Sequence, residues 1–214
     1  MEQSLILTKK DESKLLSSIN KPRDKAMFLL MLESGLRLNE VSTLPENAID
    51  LDKKTCHVPG KNQRTLKLQK PVINALDAWV QSRPENNTKH FFTTLVSNPN
   101  KISDRTVEQA IKNYAEKAKV GKTINARFLR NTFAVRLFLK GKSNKDVKNM
   151  LGIQDSKTIS KYKKQAQEIQ EDQEIARKES VPETPKNKQI WLKASLGASV
   201  ILNISALFYI WYYW

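Results

Sequence analysis

One short stretch of period-two alternation interrupts a chain whose other segments carry helical signals. Thr55 to Val58 and Thr65 to Leu68 alternate apolar and polar residues on either side of a Pro-Gly-Lys-Asn turn, which is typical of a β-hairpin. Segments with helical periodicity lie before and after it. A single hairpin among helices can supply only a small sheet. The sequence therefore predicts a mainly α fold with a small antiparallel β-sheet, in the α+β class.

Capping signals place several of the helix ends. Thr8-x-x-Asp11 predicts a helix start, Pro22 a second start, and Gly35 the end of that second helix. Ser143-x-x-Asp146 predicts a later start, for a helix that ends near Gly152. The apolar run within the second helix is too short to span a membrane and predicts a buried core helix. Other helices are expected at Leu38–Leu44, Val72–Trp79, Asp104–Lys119 and Arg127–Lys140.

Length and charge narrow the class of partner. At 214 residues the chain can build one core of ordinary domain size, and its net charge of +15 favours a polyanion such as nucleic acid or an anionic membrane face. A solvated basic surface is the simpler alternative. The single cysteine, Cys56, excludes an internal disulfide, and with only His57 and His90 beside it no structural zinc site is expected.

Four polar residues lie in short sequence motifs. Each motif is common by itself, but their order and spacing together are specific. Arg37 lies in SGLRLNEV, Lys61 in VPGKNQR and Arg130 in ARFLRNTFAV, while Tyr162 follows Ile153 by nine residues in LGIQDSKTISKYK. Arg37 and Lys61 are 24 residues apart, and Arg130 and Ile153 are 23 apart. In these motifs the chain resembles the catalytic domain of the tyrosine recombinases, the phage-integrase and Xer-like family.

The resemblance implies a role for each of these residues. Arg37 and Arg130 would hold the non-bridging oxygens of a DNA phosphate, since a guanidinium stays charged and matches phosphate geometry. Tyr162 would attack phosphorus to form a 3′-phosphotyrosine, which conserves the bond energy and makes a nucleotide cofactor unnecessary. Lys61, at the hairpin tip, would protonate the leaving 5′ oxygen. Without the resemblance, Arg37 could be a helix-end cap and Arg130 a salt-bridge partner of an acidic residue such as Glu40 or Glu33.

Other residues are expected to support this chemistry. By the resemblance Glu40 steadies the active site without reacting. Arg64 is expected to contact a DNA phosphate, and positive potential beside Tyr162 is expected from Lys161, Lys163 and Lys164. Cofactors and metals are not expected. The expected partners are double-stranded DNA and further copies of the chain, as a homo-oligomer, a tetramer, on DNA.

The chain departs from the family pattern in two motifs that matter for the chemistry. The family usually has HxLRH where this chain has Arg127-Phe128-Leu129-Arg130-Asn131, so Arg127 replaces a histidine. It usually has LGH or LGW where this chain has Ile153. Arg127 can still donate to a phosphate oxygen but cannot shuttle protons near neutral pH, and Ile153 can donate nothing. A catalytically impaired, DNA-binding or regulatory descendant of a recombinase is therefore the alternative interpretation.

The chain divides by composition into three predicted parts. Residues 1–164 are predicted to form the catalytic domain, in a short form without the family's N-terminal DNA-gripping domain. Residues 165–189 are predicted to form a charged helical tail and a proline-containing linker, and residues 190–214 a transmembrane helix.

Composition carries the membrane prediction. Ala194–Trp214 holds no charged residue, and the lysines before it predict a catalytic domain that faces the cytoplasm, anchored to the membrane. A C-terminal helix that packs on the domain or on a partner is the alternative for this segment. A tail-anchored adaptor that no longer meets DNA is a third, weaker interpretation of the whole chain, and the charge of +15 opposes it.

Overall fold

The computed structural model describes residues 6–85, 88–120 and 123–180, with side chains as far as residue 178. The predicted class is observed in these ranges, where helices predominate and the strands form one three-stranded antiparallel sheet. In chain order the elements are α1 (Lys9–Ser18), α2 (Pro22–Ser34), α3 (Leu38–Ser42), a 3₁₀ turn (Glu46–Ala48), β1 (Ile49–Asp50), β2 (Thr55–Val58), β3 (Arg64–Lys67), α4 (Lys70–Ser82), α5 (Asp104–Lys117), α6 (Ala126–Leu139), α7 (Asn144–Leu151) and α8 (Ser156–Ser180).

The capping signals in the sequence are confirmed at the helix ends. The Thr8 hydroxyl accepts a hydrogen bond from the Asp11 amide at 3.1 Å, and Ser143 and Asp146 form a reciprocal capping box at the start of α7. Gly35 ends α2 and Gly152 ends α7, both in the left-handed conformation, with φ of 69° and 59°. These two glycines fix the direction in which the chain leaves each helix.

α2 is the central helix of the fold. Residues 26–32 are buried on every side of the helix, and α2 packs against both α4 and α6. The predicted buried core helix is therefore confirmed. Because α2 is enclosed, its last turn and Gly35 lie inside the molecule, and the chain emerges at Arg37 toward the surface.

The sheet is a short antiparallel ribbon in the order β1-β2-β3. In the hairpin Thr55 pairs with Lys67 and Val58 with Arg64, so five residues form the connecting turn. Cys56, Val58 and Leu66 are buried, as the alternation requires. The turn carries Lys61 away from the core.

The helices predicted at 38–44, 72–79, 104–119 and 127–140 are all observed, with ends that differ from the predicted ones by no more than three residues. α3 ends at Ser42 instead of Leu44, and the Ser42 hydroxyl donates to the Asp104 carboxylate at the start of α5. α8 includes Tyr162 and is one helix from Ser156 to Ser180, although the sequence suggested a separate tail after the tyrosine.

The chain forms two compact units, residues 1–171 and residues 172–214. The first holds all the site residues discussed below. Of the second, only residues 172–180 are described, and they are helical. In the part of the chain that the structure describes, no helix is both long and apolar enough to cross a bilayer. The predicted span at Ala194–Trp214 lies outside the described residues.

Gly35 provides a test of this architecture. A Cβ atom at this position would lie 2.4 Å from the Phe133 Cδ1 atom and 2.8 Å from Leu151 Cδ2, whereas one at Gly141, which also has positive φ, would meet nothing within 4 Å. Gly141→Ala should therefore lower the free energy of unfolding by the left-handed penalty alone, about 1 kcal/mol. Gly35→Ala should lower it by roughly 1–3 kcal/mol more, because the core must open. Denaturant unfolding of the full chain measures both, and equal losses would show that α2 and α6 are not packed as described.

Candidate active site

A cleft of about 840 Å³ brings together residues that lie far apart in the sequence. It is bordered by the start of α3, the hairpin tip, α6, the turn after α7 and the first turns of α8. The six residues that the sequence placed in catalysis or at the changed motif position all line it, namely Arg37, Lys61, Arg127, Arg130, Ile153 and Tyr162. Their spacing in the chain thus corresponds to one site in space.

Arg130 is held by carbonyl groups at the ends of two helices. Its side chain is only 8% exposed, and its guanidinium donates to the carbonyl oxygen of Gly35 and, at 2.6 Å, to that of Leu151. Carbonyls in the last turn of a helix lack intrahelical partners and carry partial negative charge, so a buried cation suits them. Burial, followed by the charge of Arg37, lowers the pKa of Arg130 to about 10, and Arg130 therefore remains a cation at neutral pH.

Arg37 occupies the junction between α2 and α3. Its guanidinium donates to the Gly152 carbonyl at 3.1 Å and to the Glu40 carboxylate at 3.2 Å. Its side chain is still 37% exposed, in contrast to that of Arg130. Arg37 can therefore bind a phosphate that enters the cleft while its guanidinium stays anchored from behind.

Glu40 is the common counter-ion of three arginines. Arg64 binds it through two parallel hydrogen bonds of 2.9 and 2.8 Å, Arg37 contacts it at 3.2 Å, and Arg130 lies 3.7 Å away. The carboxylate also accepts from the backbone amide of Arg37 at 2.7 Å. Burial tends to raise the pKa of Glu40, but the hydrogen bonds from Arg64 and Arg37 and the nearby positive charges outweigh it and lower the pKa below 4.5. Glu40 is thus an ionised support within the protein.

Arg64, for which the sequence predicted a DNA contact, is bound within the protein. Its side chain is 6% exposed, and besides the two bonds to Glu40 it donates from Nε to the Met150 carbonyl at 2.9 Å. The sequence did not indicate this burial, because period-two alternation left open which face of the first residue of β3 would be covered. Arg64 instead joins the hairpin to Glu40 and to the end of α7.

Lys61 lies exposed at the hairpin tip, on the wall of the cleft. The turn around it is closed by a hydrogen bond from the Gln63 amide to the Gly60 carbonyl at 3.0 Å. The base of the turn is anchored by Arg64. Asn62, the residue after Lys61, packs closely on Gly152: a Cβ atom added at Gly152 would lie 3.1 Å from the Asn62 Cβ atom. The lysine is therefore carried on a supported loop.

Tyr162 is almost buried, and its hydroxyl faces a polar group. The residue is 8% exposed, its ring belongs to an apolar cluster with Ile153 and Ile159, and its hydroxyl donates to the Asn131 Oδ1 atom at 2.8 Å. Burial raises the pKa of Tyr162, while the charges of Arg130, Arg127 and Arg37 act in the opposite direction. The burial effect is the larger, so the resting side chain is a neutral phenol.

The cations near Tyr162 are arginines from other elements. Lys161, Lys163 and Lys164, which the sequence placed beside the tyrosine, are exposed on α8, and Lys164 pairs with Glu168 at 3.6 Å. Successive residues of a helix point in different directions, so residues next to Tyr162 in the chain do not share its face. These lysines remain candidates for contact with the outer DNA backbone.

The two changed motif positions have different environments. Arg127 is exposed on the cleft wall, whereas Ile153 is 9% exposed and packs in the apolar cluster around Tyr162. Arg127 can thus reach a bound phosphate as a donor. Ile153 contributes packing to the tyrosine pocket in place of a hydrogen bond.

Asn131 lies in the site, although its residue type gave no reason to assign it a role from the sequence. It follows Arg130 directly, at the last position of the RFLRN segment, and the signal was its place within the motif. The carbonyls of Gly35, Leu151 and Gly152 were also missed, because backbone groups leave no trace in residue type. Among the described residues, no group of three or more His, Cys, Asp or Glu side chains could hold a metal ion.

Comparisons with known proteins show the family of this chain. The model of the phage integrase family matches residues 6–168, and the chain belongs to that family. Tyrosine recombinase XerC of Caldanaerobacter subterraneus subsp. tengcongensis is 32% identical over 151 residues, which are 68% of this chain and 42% of that protein. Tyrosine recombinase XerA of Pyrococcus horikoshii is 26% identical over 161 residues, 74% of this chain and 56% of that protein. The chain thus spans about half the length of these relatives.

Solved structures show the same fold. A XerA recombinase has a TM-score of 0.69 at 19% identity, over 77% of this chain and 61% of that one. The XerH site-specific recombinase bound to palindromic difH substrate, in a post-cleavage complex, has a TM-score of 0.67 at 20% identity, over 82% of this chain and 54% of that one.

The Arg64–Glu40 pair gives a testable consequence for stability. Arg64→Met removes two hydrogen bonds from a buried carboxylate and should lower the free energy of unfolding by roughly 1–3 kcal/mol. Lys67→Met, at an exposed position of the same strand, is the matched control and should change it by less than about 0.5 kcal/mol. Denaturant unfolding of the full chain at neutral pH compares the two variants.

The pH dependence of the free energy of unfolding shows whether Arg64 stabilises the protein through the charge of Glu40. Since the folded pKa of Glu40 is lowered, its contribution is present above the ordinary value of 4.5 and is lost as pH falls through the folded pKa. The difference in the free energy of unfolding between wild type and Arg64→Met should therefore shrink as the pH falls below about 4.5. A difference that stays constant as the pH falls would show that Arg64 stabilises the protein without the charge of Glu40, through packing and its hydrogen bond to the Met150 carbonyl.

Proposed function

We propose that this chain is the catalytic part of a site-specific DNA recombinase that cuts and rejoins strands through a 3′-phosphotyrosine. The observation that carries the proposal is the single cleft in which Tyr162, Arg37, Arg130 and Lys61 meet. The net charge of +15 suits a DNA partner, and the XerH neighbour was solved bound to its palindromic difH substrate. We extend the proposal to double-stranded DNA as the substrate and to a tetramer of this chain on it.

The proposed chemistry uses each side chain where it lies. The Tyr162 phenol gives its proton to a water molecule as its oxygen forms a bond to phosphorus; the bond from phosphorus to the 5′ oxygen breaks, and that oxygen takes a proton from Lys61. Arg37 and Arg130 donate to the non-bridging oxygens as charge develops there, and preorganised donors of this kind are worth roughly 3–4 kcal/mol each. Two of the five N–H groups of Arg130 bind carbonyls, which leaves the others for the phosphate.

The changed motif positions bear on the rate. Arg127 lies on the cleft wall, where its charged guanidinium can donate a hydrogen bond in place of the usual histidine. Ile153 has no side-chain donor, and it packs in the apolar cluster where the family usually has a histidine or tryptophan. We infer that cleavage is slower than a full donor set would allow. A DNA-binding protein with impaired catalysis was the alternative interpretation of the sequence, and the similarity to Xer tyrosine recombinases does not favour it.

Replacement of the nucleophile tests the function. A binding site is first selected from random duplexes with the full chain, and a nicked suicide substrate is then built on that site. Wild-type protein should become covalently attached to this DNA, as seen by denaturing electrophoresis. Tyr162→Phe should abolish the adduct and change DNA affinity by less than about twofold, since one hydroxyl adds little to a polyphosphate interface.

Tyr114→Phe is the matched control. The Tyr114 hydroxyl donates to Asp24 at 3.0 Å, outside the cleft, so this variant should still form the adduct. An adduct that persists in Tyr162→Phe would refute the assignment of the nucleophile. Specific binding without any adduct in the wild type would favour the impaired, DNA-binding alternative.

Membrane attachment is a separate proposal that rests on the sequence of the C-terminal segment alone. Ala194–Trp214 is uncharged and follows Lys186, Lys188 and Lys193, so the catalytic unit would face the cytoplasm. Full-length protein should then sediment with membranes and resist extraction by alkaline carbonate. Release by carbonate alone would show that the segment lies on a surface or packs within the protein.

A further inference from the structure

Asn131 contacts the reactive atom of the proposed nucleophile, and the chemistry above gives it no part. The Tyr162 hydroxyl donates to Asn131 Oδ1 at 2.8 Å, and Asn131 is half-buried on α6, one residue after Arg130. The same turn of α6 therefore supplies a phosphate-binding guanidinium and the acceptor for the tyrosine proton.

The ring and the hydroxyl of Tyr162 are held by different contacts. Apolar neighbours such as Ile153, Ile159 and Ala166 hold the ring within its cluster, and the hydroxyl makes its hydrogen bond to Asn131. Apolar packing fixes the position of a ring but has little directional preference for a hydroxyl. The hydrogen bond supplies the direction and turns the oxygen toward the wall of the cleft that carries Arg130.

We propose that Asn131 is a positioning residue that aims the Tyr162 oxygen into the cleft and holds its proton in place until DNA arrives. The inference rests on the proposed role of Tyr162 as the nucleophile. An amide oxygen accepts a hydrogen bond but does not take up a proton near neutral pH, so Asn131 is no general base. A hydrogen bond donated by the phenol stabilises the neutral form over the phenolate.

The positive groups of the cleft oppose the protonated form of Tyr162. The charged side chains of the cleft come from α3, the hairpin, α5, α6 and the turn before α8, and they are Arg37, Lys61, Glu108, Arg127, Arg130 and Asp155. Four of these six are cations, and Arg130, Arg127 and Arg37 favour the phenolate, although burial keeps the pKa of Tyr162 above its ordinary value. Asn131 and burial thus keep the nucleophile protonated in a strongly positive cleft.

The proton balance distinguishes Asn131 from a base. When the Tyr162 oxygen bonds to phosphorus and the 5′ oxygen leaves with a proton from Lys61, the phenol proton passes to a water molecule. A histidine at position 131 could receive that proton itself, because its pKa is near ~6.5. Replacement of Asn131 by histidine should therefore add a titration to the pH profile that the wild type lacks.

The first experiment measures rates of adduct formation in single turnovers on the suicide substrate, as a function of pH. Asn131→Leu keeps the approximate volume but removes the acceptor, and it should slow adduct formation by about 100-fold through misplacement of the oxygen. Asn131→His should restore the rate and make it rise through a pH near ~6.5. Asn74→His, at an exposed position of α4, should match the wild type at every pH.

The second experiment needs no DNA and reads the contact directly. Full-length protein with ¹³C at the tyrosine Cζ atoms is titrated by NMR, and the Tyr162 signal is identified by its loss in Tyr162→Phe. Asn131→Asp places a negative charge at the hydroxyl and should raise the pKa of Tyr162 by about 1 or more. Asn74→Asp should leave it unchanged.

The outcomes separate this inference from the proposed function. If the wild type forms no adduct that depends on Tyr162, the proposed function fails, while the NMR titration still decides whether Asn131 holds the hydroxyl. If the adduct forms but Asn131→Leu reacts at the wild-type rate and Asn131→His shows no added titration, Asn131 has no positioning role. An unchanged Tyr162 signal in Asn131→Asp would likewise overturn the inference.

Discussion

The site depends on one buried carboxylate, that of Glu40. Three guanidiniums lie within 4 Å of it, and they come from α3, β3 and α6. Without a counter-ion, three cations so close together in a weakly solvated place would repel one another strongly. Glu40 makes their approach possible, and it does so from within the turn that also carries Arg37. The carboxylate therefore assembles the floor of the cleft from elements that share no sequence neighbourhood.

Helix ends supply the second layer of support. α2 and α7 both end at glycines in the left-handed conformation, and the carbonyls of Gly35, Leu151 and Gly152 accept from Arg130 and Arg37. Each such carbonyl would otherwise be an unsatisfied acceptor inside the protein. The same hydrogen bonds thus cap the ends of α2 and α7 and orient the side chains of Arg130 and Arg37. A change in either helix end would be felt at the guanidinium.

The sequence predicted the elements better than their contacts. Local capping boxes and glycine ends gave the helix limits, and the order of four motifs gave the residues that meet in the cleft, because both signals lie in residue type and spacing. The burial of Arg64 could not be predicted in this way, since it depends on Glu40 and on the Met150 carbonyl, 24 and 86 residues away. Asn131 was passed over for the same reason. An asparagine has no distinctive chemistry until its partner, 31 residues later, is known.

The charges in the floor of the cleft do not cancel. Three guanidiniums face one carboxylate there, and the pKa of Arg130 is lowered to about 10, first by burial and then by the positive charge of Arg37. Folding without DNA therefore works against an excess of about two positive charges in a partly enclosed space. A DNA phosphate in the cleft carries one negative charge and would reduce that excess, and a ligand that binds only the folded state stabilises it more the more tightly it binds. We expect the empty catalytic unit to be held below its full stability by the same charges that would receive the DNA backbone.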